Sequence, residues 1–164
     1  MILISLGSSL PFCGAEPQET LRLAIRAIGR FAAVAAVSRF YRSPAWPDPG
    51  DPPFVNAAIA LGSAPGPEDL LARLHAVEAA FGRVRGRPNA PRTLDLDLLA
   101  YGKEVRPAAS GRALALPHPG VAKRDFVLAP LCDIAPDWAF PGSGRTARQM
   151  LAALGTVTAV PLAA

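Results

Sequence analysis

The sequence predicts an α+β fold, a ferredoxin-like βαββαβ core with a mainly antiparallel sheet and helices packed on it. Three observations point there. Apolar periodicity switches along the chain in the order strand, helix, strand, strand, helix, strand. The second and third strands follow one another with no helix between them, which favours antiparallel pairing over a doubly wound parallel sheet. The hydrophobic content of 51% in 164 residues is enough for one packed core, so residues 1–164 are read as a single domain, with a loosely ordered tail after about residue 155.

Each element has a local reason. Ile2 to Leu6 is a short apolar run without a basic leader, and reads as a first strand rather than a signal peptide. Gly7-Ser8-Ser9 turns the chain, and Pro17 suits the first turn of a helix in which Leu21, Ala24, Ile25 and Ile28 recur at helical spacing to about Phe31. Val34 to Arg42 and Phe54 to Leu61 read as strands. The turn-rich stretch from Ser43 to Pro53 that joins them is too long and irregular for a tight hairpin, and connections of this kind are often functional.

Pro67-Glu68-Asp69 sets a proline and two acids at the start of a second helix, where the macrodipole favours negative charge. Leu70, Leu71, Leu74, Val77 and Phe81 form its apolar stripe, His75 and Glu78 lie off part of that stripe, and Gly82 is placed to cap its end. Thr93 to Ala100 follows as a strand. Gly102-Lys103 is a turn, a short strand or loop runs to Leu116, an apolar stretch covers Phe126 to Ile134, and Gly144 to Leu154 reads as a last helix.

The chemistry concentrates in that late strand. Its period of two sends Asp95 and Asp97 to one face and Leu94, Leu96 and Leu98 to the other, about 7 Å apart for the two acids at the rise of a β-strand. Two like charges so close are unfavourable unless a cation lies between them, and hard oxygen ligands point to Mg2+. Just upstream stand Arg83, Arg85, Arg87 and Arg92, broken up by Gly82, Gly86, Pro88 and Pro91. Four guanidinium groups outnumber two carboxylates, and that surplus suits a polyphosphate carrying its own magnesium.

Composition narrows the partners. The net charge of +4 favours an anion. No run approaches the ~18 apolar residues of a membrane helix, so no membrane partner is expected and a cytoplasmic location is. Cys13 and Cys132 follow no metal-ligand spacing and are read as buried or incidental thiols in a reducing compartment. Neither a Walker-type phosphate loop, a dinucleotide fingerprint nor a zinc helix occurs. Any nucleotide must then be held by metal and arginines.

Four segments taken in order resemble the 6-hydroxymethyl-7,8-dihydropterin pyrophosphokinase family. They are Leu6-Gly7-Ser8; Ser38-Arg39-Phe40-Tyr41-Arg42-Ser43-Pro44; Gly82-Arg83-Val84-Arg85 with Ala90-Pro91-Arg92-Thr93-Leu94-Asp95-Leu96-Asp97; and Pro117-His118-Pro119 with Arg124-Asp125-Phe126-Val127-Leu128-Ala129-Pro130-Leu131. The resemblance runs from about residue 2 to 138. It implies an ATP-dependent pyrophosphokinase that passes diphosphate from ATP to a reduced pterin and releases AMP in folate biosynthesis.

By the same resemblance Asp95 and Asp97 hold two Mg2+ ions, and Arg83 and Arg92 close over the phosphates. His118, Arg124, Arg85, Arg87, Glu78 and His75 fall at or near the ATP site. The pterin, a flat heterocycle, would find aromatic faces in Phe54 and Phe126, an amide that both donates and accepts in Asn56, and edge contacts along Ser43, Pro44 and Ala45. Pro88-Asn89-Ala90 stands where some members carry a tryptophan, Gly7-Ser8-Ser9 replaces a Gly-Ser-Asn, and Pro119 follows the histidine where an aromatic is sometimes found. A monomer is expected, with no nucleic-acid partner. Two other readings remain open: a basic RNA-binding module, since ferredoxin-like sheets display aromatics to single strands, and a different Mg-dependent nucleotidyl or glycosyl transferase built on Asp-x-Asp.

Overall fold

A central strand, β1 (Ile2–Ser8), pairs antiparallel with β4 (Phe54–Ser63) on one side and β5 (Asp95–Tyr101) on the other. The computed structural model describes residues 1–46, 48–84, 90–108 and 114–163, and all of the architecture that follows concerns these residues. The remaining elements are α1 (Pro17–Ile28), β2 (Ala33–Val37), β3 (Tyr41–Ser43), α2 (Pro67–Ala80), α3 (Asp125–Ile134), α4 (Ala147–Ala153) and β6 (Val160–Pro161). The sheet runs β5-β1-β4-β3-β6, with β2 also on β4, and every pairing is antiparallel. The path β5-β1-β4-β2 is the ferredoxin-like core.

Side-chain alternation builds two cores, one on each face of the sheet. Ile4, Leu6, Ile59, Leu94, Leu96 and Leu98 point to α1 and α2, where they meet Leu21, Ile28, Leu70 and Leu74. Leu3, Ala58, Ala60, Leu99 and Ala100 point to α3 and α4, against Val127, Leu128, Leu131 and Met150. The expected separation of Leu94, Leu96 and Leu98 from the two aspartates is therefore observed.

The second face changes character along the strands. Cross-strand register gives three rows: Leu3 with Ala60 and Ala100, Ser5 with Ala58 and Asp97, Gly7 with Asn56 and Asp95. The first row is apolar and lies under α3 and α4. The third is polar and floors a cleft. A β-bulge between Leu3 and Ile4 inserts Leu99 into β5, so that Leu99 and Ala100 both meet the α3 side opposite Leu3.

Several expectations are corrected. The strand expected over Val34 to Arg42 is two strands, because Ser38 breaks the ladder: its hydroxyl accepts the Ala58 N–H at 2.9 Å and donates to its neighbour Arg39 O at 2.7 Å. The helix expected to reach Phe31 ends at Ile28. The stretch toward Leu116 contributes one bridge between Arg106 and Leu116. Past residue 155, β6 pairs with Tyr41 and Arg42 of β3, and Leu162 N–H donates to Phe40 O at 2.8 Å. Neither cysteine is buried, Cys13 being exposed and Cys132 half-buried. The last helix is the shorter α4, set by a capping box between Thr146 and Gln149.

Candidate active site

The polar end of the sheet opens into a cleft enclosing about 570 Å³. Its floor is Ser5, Gly7, Asn56, Asp95 and Asp97. A Cβ at Gly7 would stand 3.5 Å from Asn56 Oδ1 and 3.5 Å from the Phe54 ring, so the missing side chain leaves the floor open. The walls are Ser43, Pro44 and Trp46 after β3, Phe54 at the start of β4, Arg124, Phe126 and Val127 at the start of α3, and Arg92 just before β5.

Asp95 is clamped by the two arginines that flank the basic segment. Arg83 donates from Nη1 to Asp95 Oδ1, and Arg92 Nη1 donates to Asp95 Oδ2 at 3.0 Å. Arg92 is itself fixed, since its Nε donates to Ala90 O at 2.9 Å and its guanidinium lies 6.0 Å from the Phe54 ring centroid. The chain around it is held by the loop after β1: Ser9 and Leu10 N–H donate to Arg92 O, and Arg92 N–H donates to Ser9 Oγ at 3.0 Å.

Asp97 has a different environment. Burial, and next the neighbouring charge of Asp95, push its carboxyl above the usual aspartate range, against the opposing pull of His118, Arg124 and Arg83. His118 Nε2 stands 3.9 Å from Asp97 Oδ1. Its other ring nitrogen, Nδ1, accepts Gly120 N–H at 3.1 Å, so a proton on the neutral ring sits on Nε2, toward Asp97. The ring gets there because His118 N–H donates to Leu99 O at 2.9 Å, which lays Pro117-His118-Pro119 along the outer edge of β5.

Glu78 lies beneath the site, outside the cleft lining. It is 2% exposed, its Oε1 accepts the Leu96 N–H at 2.8 Å, and the same oxygen receives Arg83. It therefore seals the open edge of β5 and anchors Arg83. His75, one turn earlier on α2, also lies outside that lining. Arg85 and Arg87 fall outside the described residues.

The remaining expected residues converge. Ser43, Pro44, Phe54, Asn56 and Phe126 line the cleft, and Ala45 lines an adjoining hollow of about 1020 Å³ that shares Pro44, Trp46, Arg124 and Phe126 with it. Asn56 is 4% exposed and donates from Nδ2 to Ser43 Oγ at 2.9 Å, which satisfies a buried amide and ties β3 to β4. The Arg124 guanidinium lies 5.9 Å from the Phe126 ring and packs against Gly120, where a Cβ would come 3.0 Å from its Cζ.

Sequence reasoning missed Trp46, Ser5, Gly7 and Val127 as lining. Ser5 carried a readable signal, a lone hydroxyl in an apolar strand on the face of Leu3 and Gly7. Trp46 did too, as a large aromatic in a proline-rich connection. It is 59% exposed at the mouth of both hollows.

Two carboxylates on one face fit a hard divalent cation. Asp97 is made costly to ionise by burial and next by Asp95, and positive charge between the two carboxylates opposes that cost. Among the described residues no group of three or more His, Cys, Asp or Glu forms a closed cage. A pair of carboxylates completed by phosphate oxygens and water is the usual setting for Mg2+.

Residues 3–136 match the family model described as 7,8-dihydro-6-hydroxymethylpterin-pyrophosphokinase. The chain is 40% identical over 142 residues to 2-amino-4-hydroxy-6-hydroxymethyldihydropteridine pyrophosphokinase of Synechocystis, covering 84% of this chain and 71% of that protein. It is 40% identical over 154 residues to the protein of the same name from Pseudomonas aeruginosa, covering 93% and 90%. A solved HPPK-DHPS from Plasmodium falciparum shares the fold with a TM-score of 0.67 at 9% identity, over 93% of this chain and 42% of that one. The chain thus spans under half the length of that solved protein.

Proposed function

The chain belongs to the 7,8-dihydro-6-hydroxymethylpterin-pyrophosphokinase family, and on that premise we propose how its cleft carries diphosphate from ATP to 6-hydroxymethyl-7,8-dihydropterin in folate biosynthesis. The hydroxymethyl oxygen attacks the β-phosphorus of ATP. The bond from that phosphorus to the oxygen bridging it to the α-phosphorus breaks, AMP leaves, and the hydroxyl proton passes to solvent. Little covalent work falls to the protein, so positioning and charge neutralisation supply the rate.

Phe54 and Phe126 offer apolar faces to the flat pterin, and Asn56 with the Ser43-Pro44-Ala45 backbone reads its edge. Asp95 and Asp97 would hold Mg2+, two ions with ATP, whose chemistry is to neutralise and align the triphosphate. Arg83 and Arg92, which meet at Asp95, are poised to pass from the carboxylate to phosphate oxygens. Arg124 and His118 flank the same floor, and we assign them to ATP, together with Arg85 and Arg87 of the basic segment. Glu78 serves by holding Arg83 rather than by touching nucleotide. We place the reaction in the cytoplasm, carried out by a monomer.

The observation that carries the reading is the meeting, at the polar end of one sheet face, of a carboxylate pair, three arginines and two phenylalanines. An RNA-binding surface is disfavoured because these aromatics line a cleft floored by anions. The test is an assay for AMP with ATP, with and without the reduced pterin, and with EDTA. AMP should form only when both substrates are present, vanish in EDTA and return with Mg2+. AMP formed equally well without the pterin would overturn the proposal and favour another Asp-x-Asp transferase.

A further inference from the structure

The last strand joins the two walls of the cleft from behind. β6 pairs with Tyr41 and Arg42, directly before Ser43 and Pro44 of one wall. Two residues earlier in the same segment, Thr158 and Ala159 reach the other wall. Asp125, between the lining residues Arg124 and Phe126, lines the adjoining hollow together with Thr158, and its Oδ2 accepts Thr158 N–H, Thr158 Oγ1–H at 2.8 Å and Ala159 N–H at 3.0 Å. Its Oδ1 accepts the Phe126 N–H at 2.9 Å. Ala159 is buried in a small cluster with Tyr41 and Ala129, one residue from each wall element.

We infer that residues 158–162 act as a strap that sets the spacing between the β3 wall and the α3 wall, with Asp125 as its anchor and hence as a positioning residue for the pterin. The inference rests on the reading of the cleft as a pterin site. A two-residue strand whose Val160 is 61% exposed adds little core, so the segment's main physical effect is geometric. What it fixes lies mainly on the pterin side. Ser43, Pro44, Trp46 and Phe126 belong to the strapped elements, with Arg124 the one residue assigned to ATP among them, whereas Asp95, Asp97, Arg92 and His118 stand on β5 or on segments flanking it. Three of the four hydrogen bonds fall on Oδ2, so an asparagine with its amide oxygen there keeps every contact to the strap and gives up only the one from Phe126 N–H.

Four proteins test this: Asp125→Ala, Asp125→Asn, a chain ending at Val157, and Asp125→Ala in that shortened chain. Each is assayed for AMP and for pterin affinity by Trp46 fluorescence. Asp125→Ala and the shortened chain should each raise the KM for pterin about tenfold, with kcat changed less than threefold and the KM for ATP raised clearly less than that for pterin, through Arg124 alone. The doubly altered protein should be no worse than either, since anchor and strap act as one unit. Asp125→Asn should stay within threefold of the parent. Equal rises in both KM values, additive losses, an unchanged pterin KM, or failure of all four proteins to fold would each overturn the strap. A parent protein that forms no AMP would instead overturn the reading of the cleft.

Discussion

Asp97 and Asp95 are chemically identical and only two residues apart, yet their surroundings divide their tasks. Asp95 is neutralised by Arg83 and Arg92, while burial and the Asp95 charge make Asp97 hard to ionise. Asp97→Asn keeps the shape and removes the charge a cation needs. We predict a loss of turnover of at least ~100-fold, about 2.7 kcal/mol in the barrier, with an unchanged thermal transition. Steady-state kinetics beside a melting curve decide it, and turnover within threefold of the parent would remove Asp97 from the metal site. These two residues were legible because alternation in a strand needs only the local sequence. Glu78 was not, since the N–H it caps belongs to β5, 18 residues on, and no local pattern reports an unpaired strand edge.

At the level of elements, β5 is the outer strand of the sheet among the described residues, and its free edge is met by one side chain and one loop backbone group. Glu78 takes the Leu96 N–H, and His118 N–H takes the Leu99 carbonyl. Glu78→Ala would leave Leu96 N–H and the Arg83 guanidinium without their buried acceptor. It should lower stability by about 2–4 kcal/mol, read as a shifted urea midpoint, and lower turnover at saturating substrate as Arg83 loses its hold. A midpoint unchanged from the parent would show that the edge needs no cap. The order of elements was readable because helical and strand periods differ. The break at Ser38 was not, because its cause is a hydroxyl 20 residues from the N–H it accepts, across the ladder.

Across the whole molecule the α3 layer is fastened to the sheet by a charged cluster outside the cleft lining. Arg39 donates from Nε and Nη2 to the two carboxylate oxygens of Asp133, and Tyr41 OH shares that carboxylate at 3.0 Å. Burial alone would raise the Asp133 carboxyl, but the hydrogen bonds from Arg39 and Tyr41 outweigh it and hold it below the usual range. Burial, and next Asp133, push the Tyr41 phenol up. A depressed carboxyl stabilises the fold above its unfolded value and loses that contribution as pH falls through the folded one. The stability gap between the parent and Asp133→Asn should therefore be level between about pH 5 and 8 and shrink below ~4. A gap that widens in acid would contradict this linkage. The sequence showed the three residues but not their meeting, which depends on α3 crossing the sheet.

The extra residue at Leu99 shifts the phase of a two-beat pattern. Upstream of it the odd positions of β5 look into the cleft; at it, two neighbours look the same way, and Tyr101 then packs with the α1 and α2 core. Loss of one amino acid here would restore the even beat and not turn the strand over: Asp97, Ala100 and Tyr101 would keep their layers, and only the second apolar contact beside Leu3 would go. An added or lost residue between Asp95 and Asp97 is the harmful change, because no bulge there absorbs it and the two acids would part to opposite faces.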